Sequence, residues 1–236
     1  DDDDIKTDIT LATNSQTEVK PEQLEALSVF QKQLELYYNT EKSVSLYYER
    51  RSQQYNSLSI KKTQIVSIGT QIKCYASMFL YSPHLVSGYY GTIFNRFKDQ
   101  MFNLTHKLLP YYICSLTLFR IDQLFRSENL RKDHKKYKYL VLMVVRIIVM
   151  DKKPLPPNSN ELERKCEELK KILINEAYSS LLISTAIHIV MTSGIDISRD
   201  RYKTETETEM VIKNAEKYIS VNGLISKDVL HLALKP

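Results

Sequence analysis

The amino-acid sequence predicts a mainly α-helical fold, an irregular multi-helix array with at most a small extended or β segment near residues 44–51. Two observations lead to this prediction. Apolar residues recur at helical spacing through most of the chain, which is the main sequence signal of amphipathic helices. The 236 residues also include only five glycines, which favours helices over a turn-rich β fold.

The N-terminal part is predicted to contain a polar turn followed by a long helix. Residues 3–13 favour a short helix, and residues 14–17 break it because short polar side chains bond to nearby backbone groups in turns. Pro21 then begins a helix that ends near Asn39, since proline suits the first helical turn. Apolar residues at helical spacing form its predicted buried stripe: Leu24, Leu27, Phe30, Leu34 and Tyr37.

The rest of the chain is predicted to be a series of helices. Ser82 and Pro83 end the first of them, because the residue before a proline avoids the α region. The helix at residues 138–150 is almost wholly apolar and is predicted to lie at the centre of the fold. Ser159 or Asn160 is the predicted cap of the helix that follows it. The predicted helices span residues 65–81, 93–102, 104–126, 138–150, 161–175, 177–193 and 205–220, the last followed by a short tail.

A proline-rich linker at residues 152–160 is the clearest division in the chain. It separates a helical region, residues 1–151, from a C-terminal helical subdomain, residues 161–236. Both parts contain apolar helices, so the second is predicted to pack on the first.

The composition limits which classes of protein this chain can belong to. The 33 basic and 28 acidic residues give a net charge of +5, which permits nucleic-acid binding without requiring it. The cysteines Cys74, Cys114 and Cys166 form no Cys-x-x-Cys pair, so they predict neither a zinc site nor a disulfide framework. No signal peptide opens the sequence, and no apolar run reaches the roughly 20 residues of a membrane span. We therefore expect a cytoplasmic protein with no membrane contact.

Four segments carry a family resemblance. They are ATNSQ at residues 12–16, YYERRSQQY at 47–55, QIKCYASMFLYSP at 71–83 and YGTIFNRFKDQMF at 90–102. In this order, with a proline-started helix after the first, they resemble the AIPR (abortive infection phage resistance) family of bacterial defence proteins. The resemblance implies a role in phage defence, and it implies no assigned active site or cofactor.

The resemblance also implies that this sequence is the C-terminal part of a longer protein. Members of the family are longer and carry an upstream element similar to Asn-Gly-x-Gln-Thr. That element is not found in this sequence, which begins with four aspartates. On this expectation, any chemistry of the upstream region lies outside the chain.

Asn14 and Gln16 are the first candidate binding residues. An amide side chain offers a donor and an acceptor that can pair with an adenine edge or another nucleotide group. The competing interpretation is that both amides only satisfy backbone groups of the turn.

The segment at residues 47–55 is the stronger candidate. Guanidinium groups match phosphate geometry and tyrosines stack on exposed bases, so their interleaving is typical of a nucleic-acid surface. Alternatively, Glu49 and Arg50 form an internal ion pair that fixes the segment against the helix begun by Pro21. The candidate side chains are Tyr47, Tyr48, Glu49, Arg50, Arg51, Gln53, Gln54 and Tyr55.

Further basic residues are Lys61, Lys62 and the stretch at residues 126–138. That stretch contains six basic residues and two acidic ones. It is therefore either a source of phosphate contacts or a solvated connector between helices. The five histidines show no ligand spacing, and no metal site is predicted.

We expect a nucleic-acid-binding or interaction module of a phage-defence protein, with DNA or RNA as the partner. The first alternative is an enzyme, a nuclease or nucleotide-dependent effector, whose site is completed by the upstream region. In that case this chain would contribute four residues to the active site: Asn14, Gln16, Glu49 and Arg50. The second alternative is an oligomerisation module, in which tyrosine-rich helices contact another copy in a homo-oligomer.

Overall fold

The computed structural model describes residues 28–127, 132–196 and 204–234. Among these residues there are nine α-helices and two short strands, so the predicted mainly α fold is confirmed. The helices are α1 Val29–Thr40, α2 Ile68–Met78, α3 Tyr90–Phe97, α4 Leu109–Arg126, α5 Lys138–Met150, α6 Asn160–Leu173, α7 Glu176–Met191, α8 Glu205–Asn222 and α9 Lys227–Ala233. The strands are β1 Tyr47–Glu49 and β2 Ile65–Ser67.

The two strands form a small parallel sheet. β1 lies inside the extended segment predicted near residues 44–51, and its register pairs Tyr47 with Ile65 and Glu49 with Ser67. β2 occupies the first three residues of a stretch predicted to be helical. Its residues pair with β1, and Ser67 then caps α2 by accepting a hydrogen bond from the Thr70 N–H at 3.2 Å. The predicted helix therefore begins at Ile68.

The start of α1 also differs from the prediction. Ser28 has an extended backbone and its hydroxyl accepts from the Gln31 N–H at 3.3 Å, so the helix begins at Val29 and not at Pro21. It ends at Thr40, next to the predicted end. Phe30 and Leu34 of the predicted stripe are buried, whereas residues 1–27, including the predicted helix at residues 3–13, lie outside the described residues.

The beginning of α4 is shifted in the same way. Residues 104–108 form a turn, in which Asn103 accepts bonds from the Thr105 and His106 N–H groups at 3.0 and 2.9 Å. The helix begins at Leu109, with Pro110 in its first turn. The turn satisfies these amides outside a helix, so the predicted segment at residues 104–126 is helical only from Leu109.

Helix α5 is the centre of the core, as predicted. Every side chain from residue 140 to residue 150 is buried. α5 packs against α2 and α4, which precede the proline-rich stretch, and against α7 and α8, which follow it. Among the described residues no single helix is long and apolar enough to cross a membrane; only α6 and α7 taken together, with a bend of 108°, pass that test.

The proline-rich stretch at residues 152–160 is held by three hydrogen bonds to the core. Arg146 of α5 donates to the Lys153 carbonyl at 2.7 Å, and the Tyr81 hydroxyl donates to the Lys152 carbonyl at 2.8 Å. The Lys107 N–H donates to the Pro157 carbonyl at 3.0 Å. The stretch therefore follows a fixed path, and the division into two subdomains stays a prediction.

Candidate nucleic-acid interface

The candidate segment at residues 47–55 begins on β1, beside α1. The Tyr48 side chain is fully buried, and its hydroxyl donates to the side-chain carbonyl of Gln31 on α1. The Tyr47 ring meets the Tyr55 ring edge-on at 5.7 Å, and the Tyr55 hydroxyl donates to the Tyr48 carbonyl at 3.1 Å. Burial, with Glu35 nearby, raises the pKa of Tyr55, so this phenol stays neutral and serves as a hydrogen-bond donor.

Arg50 lies in an ion pair with α1. Its Nε donates to a carboxylate oxygen of Glu35 at 3.0 Å, and both side chains are largely buried. Gln54 donates to the other oxygen of the same carboxylate. The Gln54 carbonyl accepts from the Arg50 and Arg51 N–H groups at 3.2 and 3.1 Å. Glu35 therefore organises the start of the connection between the strands, and Arg50 and Gln54 act there as anchors.

The connection between β1 and β2, residues 50–64, is here called the crossover loop. It contains four basic residues and no acidic residue. Arg50 is the buried one, whereas Arg51, Lys61 and Lys62 are exposed. Neither lysine forms an ion pair with a described residue. Since the charge of Arg50 is balanced by Glu35, the loop surface has a net positive charge.

Both ends of the crossover loop are fixed. Gln53 has a φ of +62°, a left-handed conformation in the turn that follows β1, and Gln54 and Tyr55 hold that turn to α1 and β1. At the other end, the Gln64 side chain donates to the Ser45 carbonyl at 2.8 Å. The largely exposed stretch from residue 56 to residue 63, which begins with polar Asn56, therefore lies between two anchored ends.

The other candidate residues are only partly described. Asn14 and Gln16 lie outside the described residues, so their role stays a prediction. In the second basic stretch, Lys138 lies 3.4 Å from Asp122, and residues 128–131 are not described. Burial, with Lys138 nearby, lowers the pKa of Lys73 on α2.

Three histidines lie at hydrogen-bonding distance from a hydroxyl group. His106 Nδ1 lies 2.9 Å from the Tyr111 hydroxyl, and His231 Nδ1 lies 2.9 Å from the Tyr178 hydroxyl. His84 Nδ1 lies 3.3 Å from the Thr208 hydroxyl. Within residues 28–127, 132–196 and 204–234 no cluster of three or more His, Cys, Asp or Glu side chains is arranged to hold a metal ion.

Glu35 and Gln31 are the functional neighbours that the sequence reasoning missed. They are four residues apart on α1, and side chains at this spacing share one face of a helix. Gln31 and Glu35 each follow a buried apolar residue, Phe30 and Leu34. This pattern places polar side chains next to the core, and it indicates that another polar segment packs against this face of α1.

These features define a helical protein with a small parallel sheet, in which the connection between the strands is a basic surface loop held at both ends. The chain belongs to the AIPR family: the family model described as AIPR protein matches residues 1–220, which confirms the resemblance seen in the sequence. No curated protein and no solved structure matches the chain. Membership of this family supports a role in phage defence by abortive infection.

Proposed function

We propose that this chain is a nucleic-acid-binding module of a phage-defence protein, and that the crossover loop binds the phosphate backbone. Arg51, Lys61 and Lys62 supply the contacts. The observation that supports this most strongly is the charge of the loop: three exposed cations and no acidic residue, with the fourth cation already paired to Glu35. Phosphate contacts of this kind position a nucleic acid without reading its sequence.

The anchoring of the loop favours binding energetically. Ordering flexible side chains and loops at an interface costs free energy, and a loop fixed at both ends has less to lose. Gln54 and Tyr55 hold one end and Gln64 holds the other. The exposed amides of Gln53 and Asn56 lie on the same loop and are suited to sugar and base contacts. Asn14 and Gln16 stay in the proposal as further amide contacts.

The proposal differs from the sequence expectation in the role of the two arginines. Arg51 contacts phosphate. Arg50, like Tyr48 and Gln54, instead holds the segment against α1. A cytoplasmic location is part of the same proposal, in keeping with the free, buried thiols of Cys74 and Cys166.

Fluorescence anisotropy with short single- and double-stranded DNA and RNA tests this proposal. We expect Lys61→Ala/Lys62→Ala to weaken binding roughly tenfold, because two phosphate contacts are lost. Lys171→Ala/Lys213→Ala removes the same charge from exposed sites on α6 and α8 and is the matched control, with affinity unchanged.

Two results would overturn the proposal. Equal weakening by the two double variants would show that only net charge matters, and no binding at low salt would remove the function altogether. Cleavage of the labelled strand only by a longer chain that includes the upstream region would favour the nuclease alternative instead.

A further inference from the structure

A long stretch without acidic residues runs from the crossover loop through α2 and α3. Residues 50–98 contain seven Lys and Arg residues and no Asp or Glu, and Glu49 and Asp99 are the acidic residues at its two ends. Arg96 and Lys98, at the end of α3, are exposed. β2 leads directly into α2, and α2 packs against α3. The positive charge of the crossover loop is therefore continued along the chain, a pattern that favours binding of a polyanion.

Two adjacent tyrosines lie in this stretch, at the start of α3. The ring centroids of Tyr89 and Tyr90 are 4.8 Å apart, and the ring planes are inclined by 48°. Tyr89 is 53% exposed, whereas Tyr90 is half-buried and packs against the core. Tyr89 therefore presents an aromatic surface to solvent, and Tyr90 connects that ring to the core.

Both rings lie close to backbone that carries no side chain. A Cβ atom on Gly69, in the first turn of α2, would lie 2.9 Å from Cδ1 of Tyr90. A Cβ atom on Gly91 would lie 2.5 Å from Cε1 of Tyr89. Both distances are shorter than van der Waals contact, so the two glycines make room for the tyrosine pair. Because the rings are already packed, stacking a ligand on Tyr89 costs little side-chain entropy.

The tyrosine pair lies within reach of a strand bound at the crossover loop. Tyr90 contacts Gly69, which is seven residues beyond Lys62. Seven residues span at most about 25 Å, because an extended chain advances no more than ~3.6 Å per residue. About eight nucleotides cover that distance at the ~3.4 Å spacing of a duplex strand. This length falls within the roughly 4–16 nucleotides of single-strand-binding modules, which combine basic residues with aromatic rings on which bases stack.

We infer that Tyr89 stacks on an unpaired nucleobase, and that the nucleic acid bound by this chain is single-stranded. In a duplex both faces of a base are covered by its neighbours, whereas an unstacked base offers a face to an aromatic ring. The stacking involves the base alone, so it is available to both DNA and RNA. The inference rests on the proposed function, in which Arg51, Lys61 and Lys62 supply the phosphate contacts.

Fluorescence anisotropy of the 236-residue chain with single- and double-stranded DNA and RNA of one length tests the inference. We expect single strands to bind more tightly than duplexes. Tyr89→Ala is expected to weaken single-strand binding roughly tenfold, because one stacked base is lost, and to leave duplex binding unchanged. Tyr89→Phe keeps the ring and is the matched control, with single-strand affinity retained.

Gly91→Ala tests the placement of the ring. The added Cβ displaces the outer end of the Tyr89 side chain, which is free to rotate, so the fold is expected to persist. Alanine also has a higher helix propensity than glycine within α3. We therefore expect a Tm equal to or above that of the unmodified chain, together with weaker single-strand binding.

An abasic strand of the same length separates stacking from phosphate contacts. It keeps the phosphates and lacks the bases, so Tyr89→Ala and the unmodified chain are expected to bind it equally well. Tyr89→Ala removes no charge, and its slope of log K against log salt is therefore expected to match that of the unmodified chain.

Three results contradict the inference and leave the proposed function in place, provided that Lys61→Ala/Lys62→Ala still weakens binding. They are equal affinity for single strands and duplexes, unchanged single-strand affinity in Tyr89→Ala, and equal weakening by Tyr89→Ala and Tyr89→Phe. The proposed function fails separately if the double lysine variant binds as tightly as the unmodified chain. An absence of binding to every nucleic acid overturns both.

Discussion

Glu35 anchors the first part of the crossover loop to α1. One carboxylate accepts from Arg50 and from Gln54, and both bonds connect α1 to the chain that leaves β1. A largely buried guanidinium without its partner is strongly destabilising, because its desolvation is no longer offset. Glu35 therefore contributes to the stability of the fold and, through the loop, to the shape of the proposed binding surface.

We predict that Glu35→Ala lowers the free energy of unfolding by about 2–3 kcal/mol, since it removes the carboxylate that Arg50 and Gln54 both contact. Chemical denaturation measures this change. A Glu35→Leu/Arg50→Met variant removes both charges and is expected to lose less than Glu35→Ala alone. A loss below about 0.5 kcal/mol for Glu35→Ala would show that water already satisfies Arg50.

His106 gives the fold a dependence on pH. Burial lowers the pKa of His106 below its ordinary value of 6.5. The unfolded chain therefore binds a proton more readily than the folded one. The stabilisation from the neutral ring is complete above the ordinary pKa, and it is lost as the pH falls from there towards the lower folded pKa.

We expect the Tm to fall between pH 7 and pH 5, and His106→Asn to make that fall shallower. The Asn side chain offers both an acceptor and a donor to the Tyr111 hydroxyl, and it takes up no proton. Thermal melts at several pH values measure this. Burial also lowers the pKa of His84, so part of the fall remains in the variant. An identical pH profile for His106→Asn would refute the assignment.

At the level of elements, the ends of helices are set by capping residues. Ser159 caps α6 by accepting from the Leu162 N–H at 3.1 Å, and it is one of the two caps that the sequence predicted, the other being Asn160. Ser28 and Ser67 cap α1 and α2 in the same way, although proline and apolar periodicity placed those helix starts elsewhere. Local signals therefore identify helices well, and they place the ends of helices less well.

We predict that Ser159→Ala lowers the free energy of unfolding by about 1 kcal/mol, the usual contribution of an N-cap. Ser159→Asn keeps a side-chain acceptor and is expected to stay within a few tenths of a kcal/mol of the unmodified chain. Denaturant titrations compare the two variants. Equal losses in both would mean that the cap is not the cause.

The elements that the sequence did not predict depend on contacts between residues far apart in the chain. β2 was taken as helix because its pairing with β1 is not visible in a local pattern, and α9 was missed because its burial depends on α6 and α7. The candidate segment at residues 47–55 stays a prediction as a binding site. Which of its side chains face inward depends on Gln31 and Glu35 of α1, and no pattern within the segment carries that information.

At the level of the whole molecule, α5 joins the two parts of the chain. Its apolar sequence predicted a central helix, and it is covered by α2 and α4 on one side of the proline-rich stretch and by α7 and α8 on the other. Removing the later helices would expose the α5 side chains that now pack against them.

We therefore predict that a chain truncated after residue 151 does not fold stably by itself, and that the full chain unfolds in one cooperative transition. Circular dichroism melts and binding of a hydrophobic dye measure both. A truncated chain with a sharp melt of its own would show instead that the proline-rich stretch separates independent domains.

The salt dependence of nucleic-acid binding shows directly whether the crossover loop contacts phosphates. The dissociation constant is measured over a salt series for the unmodified chain and for Arg51→Ala/Lys61→Ala/Lys62→Ala. Each lost phosphate contact reduces the magnitude of the slope of log K against log salt by about 0.7 to 0.9, so we expect a slope smaller in magnitude by roughly 2–3 for the triple variant. Equal slopes for the two proteins would contradict this expectation.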